Sequence, residues 1–135
     1  MTDSDQRKQV VCYWWYMAEE SLASARREFE AEAYIFAINR LYYALFYAVS
    51  ATLLERKQHF KKHTGVRASF HRELIKTGLL EIRWAKLYDQ LFEDRQEGDY
   101  IALMSFDRNY VENKLDQCIE FLNDLRPLLK SLNEV

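Results

Sequence analysis

The chain has 135 residues, enough for one domain with a real core and no need of metal or disulfide staples. It holds three glycines and one proline where average usage would give about nine and seven, so turns are few and elements long. The formal net charge of -2 excludes a global field that would draw the chain to nucleic acid or anionic lipid, and any such site must be local.

Thr2 or Ser4 can cap a first helix, with Asp3 and Asp5 at its positive end. Val11, Trp14, Ala18, Leu22, Ala25 and Phe29 recur at three- and four-residue intervals and form its apolar stripe. Trp15 falls beside that stripe, where it extends the core or faces a partner subunit. The break at Glu30 to Glu32 is short, so the second helix returns antiparallel.

That second helix, about Glu32 to Arg56, contains the stretch Ala33 to Leu54 with neither glycine nor proline and is apolar nearly all round. Such a helix belongs in the middle of a bundle. A membrane span is excluded by Asn39 and Arg40 near its centre, which would cost several kcal/mol in lipid. A desolvated Arg40 needs a partner from elsewhere in the chain, and Tyr43, Phe46 and Tyr47 continue its face. This row is either a pin that fixes the helix's rotation or the floor of a pocket.

After Leu54 comes the one locally basic loop, with Arg56, Lys57, Lys61, Lys62 and Arg67 beside His59 and His63 and against a single acid, Glu55. It reads either as a solvated connection or as a surface that touches phosphates and stacks on a base. Thr64 and Gly65 look like the cap region of a short helix through Val66, Phe70, Leu74 and Ile75, stopped at Gly78. A fourth helix from about Glu81 to Glu97 buries Ile82, Trp84, Leu87, Tyr88, Leu91 and Phe92, and Gly98 ends it. The last helix carries Ile101, Phe106, Tyr110, Val111, Leu115, Cys118, Leu122 and Leu125 and gives way at Pro127. The pattern predicts an all-α fold, an antiparallel four-helix-type bundle with an additional short helix, five helices in one domain over 1–135. Cys12 and Cys118 sit inside predicted helices and read as small core residues of a cytoplasmic protein, and the polar, acidic start MTDSDQRKQV does not read as a signal peptide.

Three separated motifs resemble the HEPN superfamily in their order: Asn39-Arg40-x-Tyr42-Tyr43-Ala44-x-Phe46, then His63-Thr64-Gly65-Val66 with Phe70 beyond, then Arg95-x-x-x-Asp99-Tyr100. More narrowly, the chain resembles the small prokaryotic stand-alone branch, related to toxins paired with minimal nucleotidyltransferases. The resemblance implies a helical bundle, a homodimer, and a module that binds RNA or a nucleotide or docks a nucleotidyltransferase antitoxin. The alternatives are a metal-independent ribonuclease toxin and a structural interaction domain without ligand. The ribonuclease members place an Arg four to six residues before a His near the start of a late helix. Here Arg95, Asp99 and Tyr100 match that place and its His is absent.

Proton transfer to and from an attacking 2′-hydroxyl needs a group that titrates near neutrality, which tyrosine does not. The resemblance implies Arg95, Asp99 and Tyr100 as candidate catalytic residues, and the missing base brings in His63 from the basic loop. The candidate RNA- or nucleotide-binding residues are Arg40, Tyr43, Lys61, Lys62, His63 and Arg95. Arg56 and His63 also show an Arg-x6-His spacing, which reads as coincidence. Asp99 is expected to cap the last helix and to pair with Arg40, with Tyr43 and Tyr100 bonding around the pair. His59, His63 and His71 form no metal-ligand pattern, and no cofactor is implied.

Overall fold

The computed structural model describes residues 2–100 and 105–133, with 99 and 100 described in the backbone alone. The helices are α1 (Asp3–Glu30), α2 (Tyr34–Glu55), α3 (His63–Phe70), α4 (Ile82–Tyr100) and α5 (Arg108–Leu125), and the described residues contain no strand. A π-helical turn, His71–Ile75, continues α3, and two 3-10 turns, Arg126–Leu128 and Lys130–Asn133, follow α5. α2 packs against α1, α3, α4 and α5, so four long helices form the bundle and α3 is the added short one. Among the described residues no helix is long and apolar enough to cross a membrane.

The helix ends follow from local chemistry. At the start of α1 the Thr2 hydroxyl accepts from the Asp5 backbone N–H at 3.1 Å while the Asp5 carboxylate accepts from the Thr2 N–H at 3.3 Å, a capping box. α1 and α2 both finish in the same way, with a residue in the left-handed region just beyond the helix: Glu32 at φ 62° and Lys57 at φ 66°. At the first, the Ala33 N–H reaches the Glu28 carbonyl and the Glu32 N–H the Phe29 carbonyl. At the second, Gln58 reaches Leu53 and Lys57 reaches Leu54. Both are Schellman closures made without glycine, at a cost of about 1–2 kcal/mol each that the recovered carbonyl bonds offset.

Glycines lie elsewhere. α3 starts at His63, one residue before the expected Thr64-Gly65 cap, so Gly65 is inside the helix. A Cβ there would stand 3.3 Å from the Phe60 side chain, so this glycine serves close packing. α4 runs through Gly98 to Tyr100, which corrects the expected stop at Gly98 and removes Asp99 as the cap of the last helix. That cap is Asp107, whose side chain accepts from the Tyr110 N–H at 2.8 Å. Ile101, expected within the last helix, lies outside the described residues. Gly78, at φ 79°, does mark a turn.

The core is strongly aromatic. Trp84, Phe121, Phe70, Tyr88 and Tyr42 form a continuous run of rings with neighbouring centroids 5.0 to 6.0 Å apart. This run takes up five of the chain's twenty Phe, Trp and Tyr residues and leads from the far end of α4 to the polar site described below. Trp15 joins the core at 4% exposure, while Trp14, placed in the stripe by its spacing, is half-buried and stacks on His59. Ile82, expected inside, is 69% exposed because it is the first residue of α4 and has no neighbouring turn to cover it.

Candidate functional site

α2 offers Arg40, Tyr43 and Phe46 on successive turns of one side, with Tyr42 next to them buried against α4. The α3 N-terminus sets His63 on this row: its ring lies 4.1 Å from Phe46 at an interplanar angle of 8°, and edge-on to Tyr43 at 5.7 Å. From α4, the Arg95 guanidinium lies 5.0 Å from the Tyr42 ring and 5.7 Å from that of Tyr43. Arg40 lies 5.2 Å from the same Tyr43 ring. One tyrosine thus contacts three of the predicted site residues, which come from three helices. Lys61 and Lys62 are exposed immediately before His63, and Lys62 is the α3 N-cap residue.

Arg40 is half-buried rather than sealed in the core, and its guanidinium donates to the neighbouring Asn39 Oδ1 at 2.6 and 3.1 Å. The expected pair of Arg40 with Asp99, and the position of Tyr100 around it, concern side chains outside the described residues.

Tyr42 controls the chemistry of His63. Burial pushes its phenol up to about 12, so the hydroxyl keeps its proton at neutral pH. It lies 2.7 Å from His63 Nδ1. Burial, and then the Arg95 charge, hold the His63 imidazole below its ordinary value, so the ring is neutral in the same range. The consistent arrangement is Tyr42 O–H donating to Nδ1, with the ring proton on Nε2. His63 is therefore wired as a donor.

A pH dependence follows. Below about pH 6.5 the unfolded chain takes up the His63 proton before the folded one, so stability falls as pH drops and the loss is absent above that range. Thermal melts from about pH 7 to about pH 5 should show a steeper decline for the native chain than for His63→Gln. Equal slopes would remove His63 as the cause.

A second polar cluster adjoins this wall. The Asp89 carboxylate oxygen Oδ1 accepts from Arg67 Nε at 2.9 Å and from His71 Nε2 at 2.8 Å. The Arg67 guanidinium also lies 4.4 Å from the Phe92 ring, and that ring is 5.9 Å from Tyr42. Reading the sequence missed these three residues. His63, Arg67 and His71 recur every fourth position, which would have shown one helical face had the helix been started at His63 rather than at Thr64-Gly65. Asp89 carries no comparable signal. Farther along α4, the buried Asp94 accepts from the Tyr110 hydroxyl and, at 2.9 Å, from Gln90 Nε2. Among the described residues no group of three or more His, Cys, Asp or Glu side chains is arranged to hold a metal.

The architecture is thus an all-α bundle with a cationic, aromatic-walled site at the junction of α2, α3 and α4. The HEPN domain family model matches residues 11–128, and the chain belongs to that family. It is 38% identical over 128 residues to "UPF0332 protein" of Thermotoga maritima, covering 95% of this chain and 97% of the relative. It is 35% identical over 116 residues to "Putative toxin MJ0142" of Methanocaldococcus jannaschii, covering 86% and 79% of the two chains. "Putative toxin MJ0605" of the same organism matches 84 residues at 33% identity, covering 62% of this chain and 63% of the relative.

Proposed function

We propose that this chain is a HEPN module that binds single-stranded RNA on the wall of Arg40, Tyr43, His63 and Arg95. In this reading it belongs to a toxin–antitoxin-type pair whose other member is a minimal nucleotidyltransferase. The observation that carries the reading is the Tyr42–His63 bond. It occupies the imidazole lone pair and leaves an N–H as the ring's other polar group, so the wall combines a neutral donor with the guanidinium groups of Arg40 and Arg95. Donors and cations beside accessible rings suit phosphate oxygens and stacked bases. Lys61 and Lys62 extend the positive charge along the incoming loop. The two relatives named as toxins support the system-level part of the reading.

The test is fluorescence anisotropy with a labelled single-stranded RNA of mixed sequence, titrated at several salt concentrations. Arg95→Ala should weaken binding by about tenfold or more, the worth of a charge-assisted hydrogen bond. Lys61→Ala with Lys62→Ala should reduce the salt slope by about 0.7 for each phosphate that is no longer neutralised. A free nucleoside monophosphate that competes as well as RNA would make the ligand a nucleotide. Binding unchanged in Arg95→Ala would overturn the assignment.

A further inference from the structure

The basic loop after α2 has a side that the RNA wall does not use. Lys57, just beyond the Arg56 cap of α2, sits at φ 66°, and this left-handed residue turns the loop back toward the start of α1. Gln58 secures the turn: its N–H reaches the Leu53 carbonyl at 2.8 Å, and its side-chain oxygen accepts from the buried Ser69 hydroxyl at 2.8 Å. His59 is thereby set against Trp14 of α1, with ring centroids 5.7 Å apart and planes 22° from parallel. The loop is tied to both α2 and α3, and a cavity of about 470 Å³ stays open between it and the first turns of α1. That volume suits one small organic molecule.

The lining is of two kinds. Val10, Trp14 and Leu54 give it an apolar part, and Val10 keeps 38% of its surface exposed. Trp14 holds a position in the α1 stripe, yet it is only half-buried while its neighbour Trp15 is 4% exposed. An indole left half-open beside a stacked imidazole presents flat aromatic surface to a planar ligand. The polar part is Arg7, Lys57, Gln6 and Asp3. Arg7 is half-buried, and among the described residues neither it nor Lys57 makes an ion pair or a side-chain hydrogen bond, even though Asp3 stands one turn from Arg7 on the same helix. A half-buried cation without a partner favours an anion beside it. A cavity of about 500 Å³ between α4 and α5 shows the contrast: its Arg83 already meets Glu120 at 3.1 Å and Glu81 at 3.3 Å.

We propose that this cavity binds a small planar aromatic acid, its ring against Trp14, Val10 and Leu54 and its carboxylate held by Arg7 and Lys57. The two cations outnumber the Asp3 carboxylate by one, so the occupant carries a single negative charge. A guanidinium grips a carboxylate through two parallel N–H bonds, which makes Arg7 the selective group and Lys57 the supporting charge. A neutral ring of the same shape forfeits those bonds. An aliphatic acid of the same charge forfeits the contact with the indole face. The site uses none of the side chains of the Arg40, Tyr43, His63 and Arg95 wall, so it stands whether or not that wall binds RNA.

The experiment titrates naphthoate into the full chain, followed by calorimetry and by the indole N–H resonances of the three tryptophans, with Trp14→Phe identifying that of Trp14. Saturable binding with a Kd below about 1 mM is expected, with the Trp14 resonance moving and that of Trp84, deep in the core, staying in place. Naphthamide, which keeps the ring and lacks the charge, and cyclohexanecarboxylate, which keeps the charge and lacks the ring, should each bind about tenfold more weakly or worse. Arg7→Gln and Lys57→Gln should each lower naphthoate affinity by about tenfold with the circular dichroism spectrum unchanged. The comparison of acid with amide is made on the native chain, so it decides the matter even where a variant fails to fold. No saturable binding up to about 10 mM, equal affinity for the amide, full affinity in a folded Arg7→Gln, or a shift confined to Trp84 would each overturn the site.

Discussion

Replacing Trp84 by Ala should cost about 3–5 kcal/mol of folding stability and lower the melting temperature by on the order of 10–20 °C. The indole is 1% exposed and lies 5.1 Å from the Phe121 ring, with the Arg83 guanidinium 4.1 Å from its centroid. Its N–H donates to Asp124 at 2.9 Å. Truncation therefore removes a large apolar volume, leaves a cavity beside Phe121, and takes away a donor as well. Trp84→Phe separates these effects. It keeps most of the packing, and because Asp124 is 41% exposed and regains water, the smaller loss should be about 1 kcal/mol. Ile82→Ala, two residues away but 69% exposed, should stay within about 0.5 kcal/mol of the native chain. Urea unfolding of the three variants checks the ranking, and a Trp84→Ala midpoint near that of Ile82→Ala would contradict the packing described.

Tyr42→Ala should be equally severe for stability, about 3–5 kcal/mol, and should abolish RNA binding with it. The side chain is fully buried and its ring meets Tyr43, Phe46, Tyr88, Phe92 and His63, with the Arg95 guanidinium alongside. Without it, both His63 and Arg95 lose the surface that holds them. Tyr42→Phe isolates the hydroxyl. It should cost about 0.5–1.5 kcal/mol and release the His63 tautomer, weakening RNA binding by a few-fold while leaving the bundle intact. Denaturant midpoints and anisotropy on the same preparations test both statements. Full RNA affinity in Tyr42→Phe would mean that the hydroxyl does not set the state of His63.

Much of the fold was legible because hydrophobic spacing follows the helical period wherever a helix has one apolar and one polar side. α1 and α5 are of this kind, and the nearly all-apolar α2 reads as central for the same physical reason. The boundaries were harder. Gly65 and Gly98 look like punctuation in the sequence but lie inside helices; the missing side chain of Gly65 admits Phe60, whereas a Cβ at Gly98 would make only ordinary contact with Ile35 and Phe106. The two long hairpin ends are instead formed by Glu32 and Lys57, residues with no intrinsic preference for a left-handed conformation. The sequence left open that His63 could approach Arg95 from another loop, and the structure sets both beside the Tyr43 ring. The Asp89 cluster was not anticipated, because a carboxylate that bridges two residues around twenty positions away leaves no local pattern.

The short third helix separates scaffold from chemistry. Val66, Phe70 and Leu74 fasten it to the core, while His63, Arg67 and His71 lie partly open on the remaining surface. Exchanges at the three open positions leave the fastening residues untouched, so the polar surface of this segment can change while its apolar hold on the core stays. The bundle is in that sense a chassis, and the segment from His63 to His71 is the cassette in which its descendants can be retuned.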